Sequence, residues 1–293
     1  MPINKKILVT GGAGFVGTNL IKFLLKKTNY KIVSIDNYSS GVRKNHVKNL
    51  RVNYIKGNTV NIAKIIKKPK EIKCVFHFGE FARIYQSFLH MNDCIESNSI
   101  GSNSVFNFCL KNKIKLIYSA TSASLGNKGK DKNLSPYAFS KAKNLEILEN
   151  LKRWFKFKYE VIYFYNVYGP SQICKGNMST VIGIFEDHYK RGKALPVVKP
   201  GTQTRRFTHI EDTIEICFLA WKKNLCRHYS IASKKSYSIR EVANFFKSKI
   251  KLLPKRKGER YASALTDRNL SNKIYRYYGK KNLKDYIKNF IKN

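Results

Sequence analysis

Residues 6–17 read KILVTGGAGFVG, a short apolar run that leads directly into a glycine-rich segment. The run Lys6–Thr10 is predicted to be a strand, and residues 18–27 a helix, because apolar side chains recur there at helical spacing. Glycines of this kind allow a tight turn and the approach of a pyrophosphate to the backbone N–H groups of a helix N-terminus. An ordinary glycine-rich turn is the alternative that the motif alone leaves open. The spacing G-x-x-G-x-x-G is set by Gly11, Gly14 and Gly17.

A carboxylate ends the second predicted strand, Lys31–Asp36. Such a group can bind both hydroxyls of an adenosine ribose and repels a 2′-phosphate, so the sequence favours NAD over NADP. Asn58 follows a third predicted strand, Val52–Lys56, where it could accept a hydrogen bond from an adenine amine. The alternatives are that Asp36 only ends a strand and that Asn58 is a turn residue.

Strands and helices alternate as far as residue 165, which predicts an α/β fold with a doubly wound parallel sheet of the Rossmann type. After residue 170 the alternation breaks up, which indicates a smaller C-terminal substrate lobe. We therefore expect a dinucleotide-binding domain over residues 1–165 and a substrate lobe, interleaved with the same sheet, over 166–293. The remaining predicted strands are 73–78, 114–119 and 160–165, and the long helices are 94–111 and 136–156.

The composition limits the classes of protein to which the chain can belong. The chain has 293 residues, 43% of them hydrophobic, which is enough for a packed core. No apolar run is long enough for a transmembrane helix, and no signal-peptide pattern is present, so we expect a cytoplasmic protein without membrane insertion. The six cysteines show no C-x-x-C pair or metal-site spacing, so we expect free thiols and no metal.

The net charge of +39, from 57 basic and 18 acidic residues, is unusually high. Its lysines are spread over the whole chain rather than clustered in a basic stripe or tail. We therefore expect salt-dependent, non-specific attraction of polyanions, and no specific nucleic-acid partner.

A tyrosine and a lysine lie four residues apart on the helix predicted over 136–156, and so share one face. An ammonium group beside a phenol favours the phenolate, so Lys141 is expected to lower the pKa of Tyr137. A tyrosine of this kind can remove a proton from a substrate hydroxyl. Hydroxyl side chains at the end of the fifth predicted strand, including Thr121, could contact the same substrate oxygen.

These segments together resemble the extended short-chain dehydrogenase/reductases, in their NAD-dependent nucleotide-sugar epimerase/dehydratase branch. The resemblance covers nearly the whole chain, and its pieces occur in the order of the family. They are TGGAGFVG (10–17), IDNYSSG (35–41), VFHFGEFAR (75–83), YSATSASLG (118–126), SPYAFSKAKNLE (135–146), YFYNVYGP (163–170), PGTQTRRFTHIEDT (200–213) and PKRKGE (254–259).

The resemblance implies a role for individual residues. Tyr137 would be the catalytic base, Lys141 its partner and a ligand of the nicotinamide ribose, and Thr121 the hydroxyl residue. The substrate, a nucleotide sugar, would be bound by Arg83, Thr121, Asn166, Arg205, Arg256 and Glu259. NAD would be bound by Gly11, Gly14, Phe15, Val16, Gly17, Asp36, Asn37, Ser40, Gly41, Asn58, Phe78, Gly79 and Lys141.

The resemblance further implies a reaction that begins with oxidation at C4 of the sugar. Dehydratases of the branch carry an acid pair beside the hydroxyl residue, whereas this chain has Ser122 and Ala123. We therefore expect a 4-epimerase acting on a UDP-hexose or its N-acetyl form, through a transient 4-keto sugar. A nucleotide-sugar 4-reductase or C4 oxidase is the alternative enzyme, and a redox-sensing or RNA-associated binding protein is the alternative class. Small side chains at Ser263 or Ala264 favour acceptance of N-acetylated sugars.

Several positions depart from the family pattern. Glu80 stands in the segment HFGE where HLAA is more usual, so it either places a carboxylate near the site or points into solvent. The loop over 122–136 is short, Arg206 replaces an aspartate, and Ser171 replaces a frequent arginine. The family also implies a homodimer through a four-helix bundle. The residues that could form it, or could instead face their own sheet, are Phe106, Leu110, Leu145 and Leu148.

Overall fold

The computed structural model describes residues 5–125, 133–258 and 274–292. Predicted strand positions agree with the structure to within two residues at each end. The strands are β1 Lys6–Thr10, β2 Lys31–Asp36, β3 Val52–Lys56, β4 Ile72–His77, β5 Lys115–Thr121, β6 Tyr159–Phe164, β7 Val167–Tyr168, β8 Leu195–Val198, β9 Thr204–Arg205, β10 Thr208–His209, β11 His228–Ala232, β12 Tyr237–Ser238, β13 Ile250–Leu253 and β14 Ile274–Tyr278.

Within the described residues, eight strands form one sheet in the order β14-β11-β6-β5-β4-β1-β2-β3. Every pairing in it is parallel. Helices cover both faces, and the strands are therefore apolar on both sides. The predicted doubly wound α/β fold is confirmed. Because β11 and β14 extend the sheet, the second half of the chain contributes to it as well as to the smaller lobe.

The helices connect successive strands across the faces of the sheet. The helix expected over 94–111 begins earlier and contains a π-helical stretch, Glu96–Gly101, between two α-helical parts. The helices are α1 Phe15–Lys27, α2 Ile62–Ile65, α3 Gln86–Leu89, α4 Met91–Ile95, α5 Ser102–Lys111, α6 Ser122–Leu125, α7 Pro136–Phe155, α8 Val181–Lys190, α9 Ile210–Lys223, α10 Ile239–Phe245 and α11 Leu283–Lys292.

Helix α7 shows how local sequence fixes a helix that carries predicted site residues. Ser135 accepts a hydrogen bond from the backbone N–H of Ala138 at 3.1 Å, and Pro136 occupies the first turn. A serine cap followed by proline is a favourable start, because proline has no N–H that would need a partner there. The helix thus begins one residue before Tyr137 and presents it together with Lys141.

Three apolar cores hold the molecule together. One lies between the sheet and helices α2, α5 and α7, and a second between the other face and helices α1 and α9. The third fills the C-terminal lobe between α8, α10, α11 and β8. Both faces of the sheet are therefore covered by apolar cores.

The side chains expected at a dimer interface belong partly to the chain's own core. Phe106 and Leu148 are fully buried against the sheet, and Leu110 and Leu145 pack on the same core. Of the two alternatives that the sequence left open for Phe106 and Leu148, the structure has them facing their own sheet, because their surface is already covered within one chain.

The cysteines of the described chain are all free, and four of the six are buried. No helix in the described ranges is long and apolar enough to cross a membrane. The same ranges contain no group of three or more side chains suited to hold a metal ion.

Candidate active site

A cleft opens at the carboxyl ends of the central strands. It lies where β1 has β2 on one side and β4 on the other, the crossover point at which open parallel sheets bind ligands. Most residues predicted to bind a dinucleotide lie in its wall. The lining includes Gly11, Gly14, Phe15, Val16, Gly17, Asp36, Asn37, Ser40, Asn58, Phe78, Gly79, Arg83, Tyr137 and Lys141.

The glycine turn between β1 and α1 is packed too tightly for side chains. Gly11 has a φ of 71°, and a Cβ on it would lie 2.8 Å from the backbone nitrogen of Gly79. A Cβ on Gly17 would lie 2.2 Å from the carbonyl oxygen of Gly11. The helix cap, Gly14, provides no side-chain oxygen for the first N–H groups of α1. The turn therefore offers backbone donors and the positive end of a helix dipole, which fits the pyrophosphate of a dinucleotide.

Asp36 is fixed at the end of β2 by backbone donors. Its two carboxylate oxygens accept hydrogen bonds from Ala13 N at 2.9 Å and Tyr38 N at 2.8 Å. Burial raises the pKa of Asp36, and both hydrogen bonds oppose that shift. A Cβ on Gly41 would lie 2.8 Å from Oδ1 of Asp36, so a glycine here leaves room for that carboxylate. Gly41 is not among the residues that line the cleft, and its contact with NAD stays a prediction.

Asn58 caps the short helical turn that follows β3. Its Oδ1 accepts a hydrogen bond from Val60 N at 3.1 Å, and its Nδ2 donates to Glu96 at 3.2 Å. Asn58 thus has the turn role that the sequence left open, while it also lines the cleft.

Tyr137 lines the cleft, and the side chain of Thr121, which is not itself in the lining, is hydrogen bonded to it. The expected lowering of the tyrosine pKa is not found: the pKa of Tyr137 is raised to about 12. Desolvation is the main cause, and the charge of Glu80 adds to it. The hydrogen bond from Thr121 and the charge of Arg83 act in the opposite direction. The expectation was wrong because it left out the burial of the phenol, which disfavours the phenolate, and the charge of Glu80, which acts in the same direction.

Lys141 has a charged partner of its own, Glu80. The ammonium group of Lys141 forms an ion pair with the Glu80 carboxylate, and the two side chains are only 4% and 2% exposed. Lys141 also donates to the backbone oxygen of Ser119 at 2.5 Å. Of the two positions that the sequence allowed for Glu80, the structure has the carboxylate in the site. Its only sequence signal was the glutamate in HFGE.

Of the residues predicted to bind the substrate, Arg83 lies in the cleft lining, and others lie outside the lining or outside the described residues. Arg83 lines the cleft, but its guanidinium donates to the backbone oxygens of Ala82, Met178 and Ser179 at 2.7, 2.5 and 3.1 Å. It therefore joins the loop after β4 to the segment before α8. Glu259, Ser263 and Ala264 lie outside the described residues.

Three further candidates lie outside the cleft lining. Asn166 donates to the backbone oxygen of Arg206 at 3.0 Å, and Arg205 to that of Thr204 at 2.9 Å. The guanidinium of Arg256 lies 5.3 Å from the centre of the Tyr85 ring. Their roles toward a diphosphate stay predictions.

Comparison with known proteins agrees with this geometry. The model of the NAD dependent epimerase/dehydratase family matches residues 7–232. A protein of Methanocaldococcus jannaschii, described provisionally as a UDP-glucose 4-epimerase, is 26% identical over 286 residues, which cover 93% of this chain and 88% of that protein.

Solved structures share the whole fold. The UDP-glucose 4-epimerase of Thermotoga maritima, solved with UDP-glucose, superposes with a TM-score of 0.83 at 23% identity and covers 98% of this chain and 97% of its own. A dTDP-glucose 4,6-dehydratase from Streptomyces venezuelae, solved with NAD, gives a TM-score of 0.86 at 18% identity, covering 98% and 96%. With the family model matched over most of its length, this chain belongs to the NAD-dependent epimerase/dehydratase family of enzymes.

Proposed function

We propose that this protein is a nucleotide-sugar 4-epimerase that acts on a UDP-hexose or its N-acetyl form. The observation that carries the proposal is that Tyr137, hydrogen bonded to Thr121, and Lys141, four residues farther along α7, both line a cleft suited to NAD. When bound, NAD supplies the acceptor for the hydride from C4 of the sugar and the donor that returns it.

The chain's own part is proton transfer and orientation. Tyr137 takes the proton from the C4 hydroxyl as the hydride leaves, and gives it back when the hydride returns. Thr121 orients the Tyr137 hydroxyl by its hydrogen bond and also contacts the C4 oxygen of the sugar. Lys141 provides positive charge beside the base and a donor for the nicotinamide ribose. The 4-keto sugar must turn over between the two transfers, so that the hydride reaches its opposite face.

Dehydration needs a free acid and base near C5 and C6, and the described cleft offers neither. Ser122 and Ala123 follow Thr121, and the N–H of Ala123 donates to the Thr121 hydroxyl at 3.2 Å. Among the described lining residues the only carboxylates are Asp36, held by backbone donors, and Glu80, paired with Lys141. This favours epimerisation over the dehydratase chemistry named for one of the structural neighbours.

The test is proton NMR of the purified enzyme with UDP-glucose and, separately, with UDP-N-acetylglucosamine. The expected result is the appearance of galacto-configured anomeric signals without added NAD. Formation of a 4-keto-6-deoxy sugar would instead identify a dehydratase. Unchanged spectra, with turnover only when NADH and a 4-keto sugar are supplied, would identify the alternative 4-reductase.

The homodimer is also a proposal. Helical segments on one side of the molecule expose Ile100 and Phe139, at 52% and 42%. A two-fold contact would bury them. Sedimentation at micromolar concentration should give twice the chain mass, and a monomer would contradict this.

A further inference from the structure

Glu80 and Lys141 form a buried ion pair in the wall of the cleft. Glu80 follows β4 and Lys141 lies on the first turns of α7, so the pair joins two elements that are distant in sequence. An isolated buried charge is strongly unfavourable, and removing either member of this pair would leave the other as such a charge.

The pair is supported by three neutral donors, two from further elements and one from α7 itself. Glu80 Oε1 accepts from Ser102 Oγ on α5 at 2.8 Å, from Tyr118 OH on β5 at 3.0 Å and from Asn144 Nδ2 on α7 at 3.3 Å. Such a satisfied network keeps the carboxylate in one orientation. It also directs the charge of Glu80 toward Lys141 and not toward bulk solvent.

The other titratable groups around the pair carry no charge near neutral pH. Burial lowers the pKa of His77, which bonds to Ser102, to about 4, so its ring is neutral. Burial raises the pKa of the Cys94 thiol to about 11 and that of Tyr118 well above its usual value, so both keep their protons. The charged groups that act on Tyr137 are therefore Glu80, which raises its pKa, and Arg83, which lowers it.

We propose that Glu80 is a positioning residue that keeps Lys141 charged and sets the pH range in which Tyr137 and Lys141 work together. This inference rests on the proposed function, because it assigns Tyr137 and Lys141 their roles in it. Glu80 acts through these two residues and transfers no proton to the sugar itself.

The direction of its effect follows from charge alone. A negative charge favours the protonated form of each neighbour, so Glu80 raises the pKa of Lys141 against the lowering caused by burial. It raises the pKa of Tyr137 for the same reason. A working enzyme needs the phenolate and the ammonium at once, so its rate rises as Tyr137 ionises and falls as Lys141 loses its proton. Removing the charge of Glu80 should therefore move both limbs of the pH profile toward acid.

The first test is the pH dependence of kcat/KM for Glu80→Gln. We expect both limbs to shift down by about one pH unit, the lower end of the range for one nearby charge. The matched control is Glu160→Gln. Glu160 is also buried and pairs with a lysine, Lys115, at 2.9 Å, but it lies in β6 outside the cleft lining. Its variant should keep the wild-type limbs. A Glu80→Gln profile lowered at every pH without a shift would overturn the proposal and leave Glu80 a purely structural role.

A second test needs no substrate. NMR of the NAD-loaded protein with isotope-labelled tyrosine, with Tyr137→Phe to assign the signal, reports the ionisation of Tyr137 directly. Its pKa should be about one unit lower in Glu80→Gln than in wild type. An unchanged pKa would contradict the inference even if epimerisation is found. A lowered pKa in a protein that turns over no nucleotide sugar would support the inference and reject the proposed function.

If Glu80→Gln does not fold, because Lys141 is left unpaired, the comparison moves to Glu80→Asp, which keeps a carboxylate as a partner for Lys141. The shorter side chain places the charge farther from Lys141 and Tyr137, so both limbs should shift toward acid by less than one pH unit. A Glu80→Asp profile with wild-type limbs would overturn the proposal.

Discussion

The two ends of the cleft are built in different ways. The dinucleotide end, formed by residues 11–17 and Asp36, consists of backbone groups and one carboxylate held by backbone donors. The catalytic end, formed by Tyr137, Lys141 and Glu80, consists of buried side chains from separate elements. The dinucleotide end depends on the close approach of main-chain atoms, and the catalytic end depends on the pairing of buried charges. Substitutions should therefore act on binding at one end and on rate and pH dependence at the other.

The largest effect is expected at the catalytic end. Tyr137→Phe removes the proton acceptor and should lower kcat by about 10²–10⁴-fold, the usual contribution of a positioned acid or base. NAD affinity should be unchanged, since the phenol is not part of the dinucleotide end. Steady-state rates and fluorescence titration with NADH measure the two quantities.

The control is Tyr163→Phe, which removes a buried hydroxyl bonded to His228 outside the cleft lining. Its rate should equal that of wild type. Wild-type turnover by Tyr137→Phe would show that another group takes the proton.

The next effect is expected at the dinucleotide end. Gly17→Ala introduces a Cβ 2.2 Å from the backbone oxygen of Gly11, which cannot move without shifting β1 or α1. Overpacking of this kind costs about 1–3 kcal/mol, so NAD affinity should fall about tenfold to a hundredfold. Calorimetric titration with NAD measures the loss.

The control is Gly176→Ala, which strains the backbone because Gly176 has a φ of 82°, but its Cβ would meet nothing within 4 Å and the residue lies outside the cleft lining. Its NAD affinity should remain that of wild type. Equal affinities for wild type and Gly17→Ala would mean that the turn does not hold the pyrophosphate.

The smallest effect is expected at Asp36. Asp36→Asn removes the charge but keeps an oxygen acceptor, so NAD should bind about tenfold more weakly and discrimination against NADP should decrease. Burial raises the pKa of Asp36, so this carboxylate takes up its proton at a higher pH than an exposed aspartate does. On acidification, the NAD affinity of the wild type should therefore begin to fall at that higher pH.

Isothermal titration over a pH series measures this decline, which should be absent in Asp36→Asn. The control is Glu71→Gln, which removes an acidic group that pairs with Lys6 outside the cleft lining. Its NAD affinity should depend on pH as that of the wild type does. Unaltered NADP discrimination in Asp36→Asn would contradict the assigned role.

The difference between the two ends also explains what could be predicted from the sequence. The dinucleotide end is encoded locally, since the glycine spacing and the strand that ends at Asp36 need no distant contact to be recognised. The parallel sheet was predictable for a similar reason, because alternating strands and helices admit few topologies.

The catalytic end is encoded by distant contacts. Tyr137 and Lys141 could be named from their spacing, but the partner of Lys141 is 61 residues away in sequence. The pKa direction of Tyr137 depends on this pairing and on burial, and the sequence pattern predicted the opposite direction. The positions of Phe106 and Leu148 stayed open for a related reason: an apolar residue on a helix does not reveal whether its own sheet or a second chain covers it.

The central claim is that the hydride removed from C4 of a sugar is returned to C4 of the same sugar before the product leaves the enzyme. The most direct measurement uses a UDP-glucose deuterated at C4, incubated with the enzyme in the presence of excess unlabelled NADH. The account predicts a galacto-configured product that retains its deuterium at C4. Loss of the label to the NADH pool, or a product that is a 4-keto-6-deoxy sugar, would contradict it.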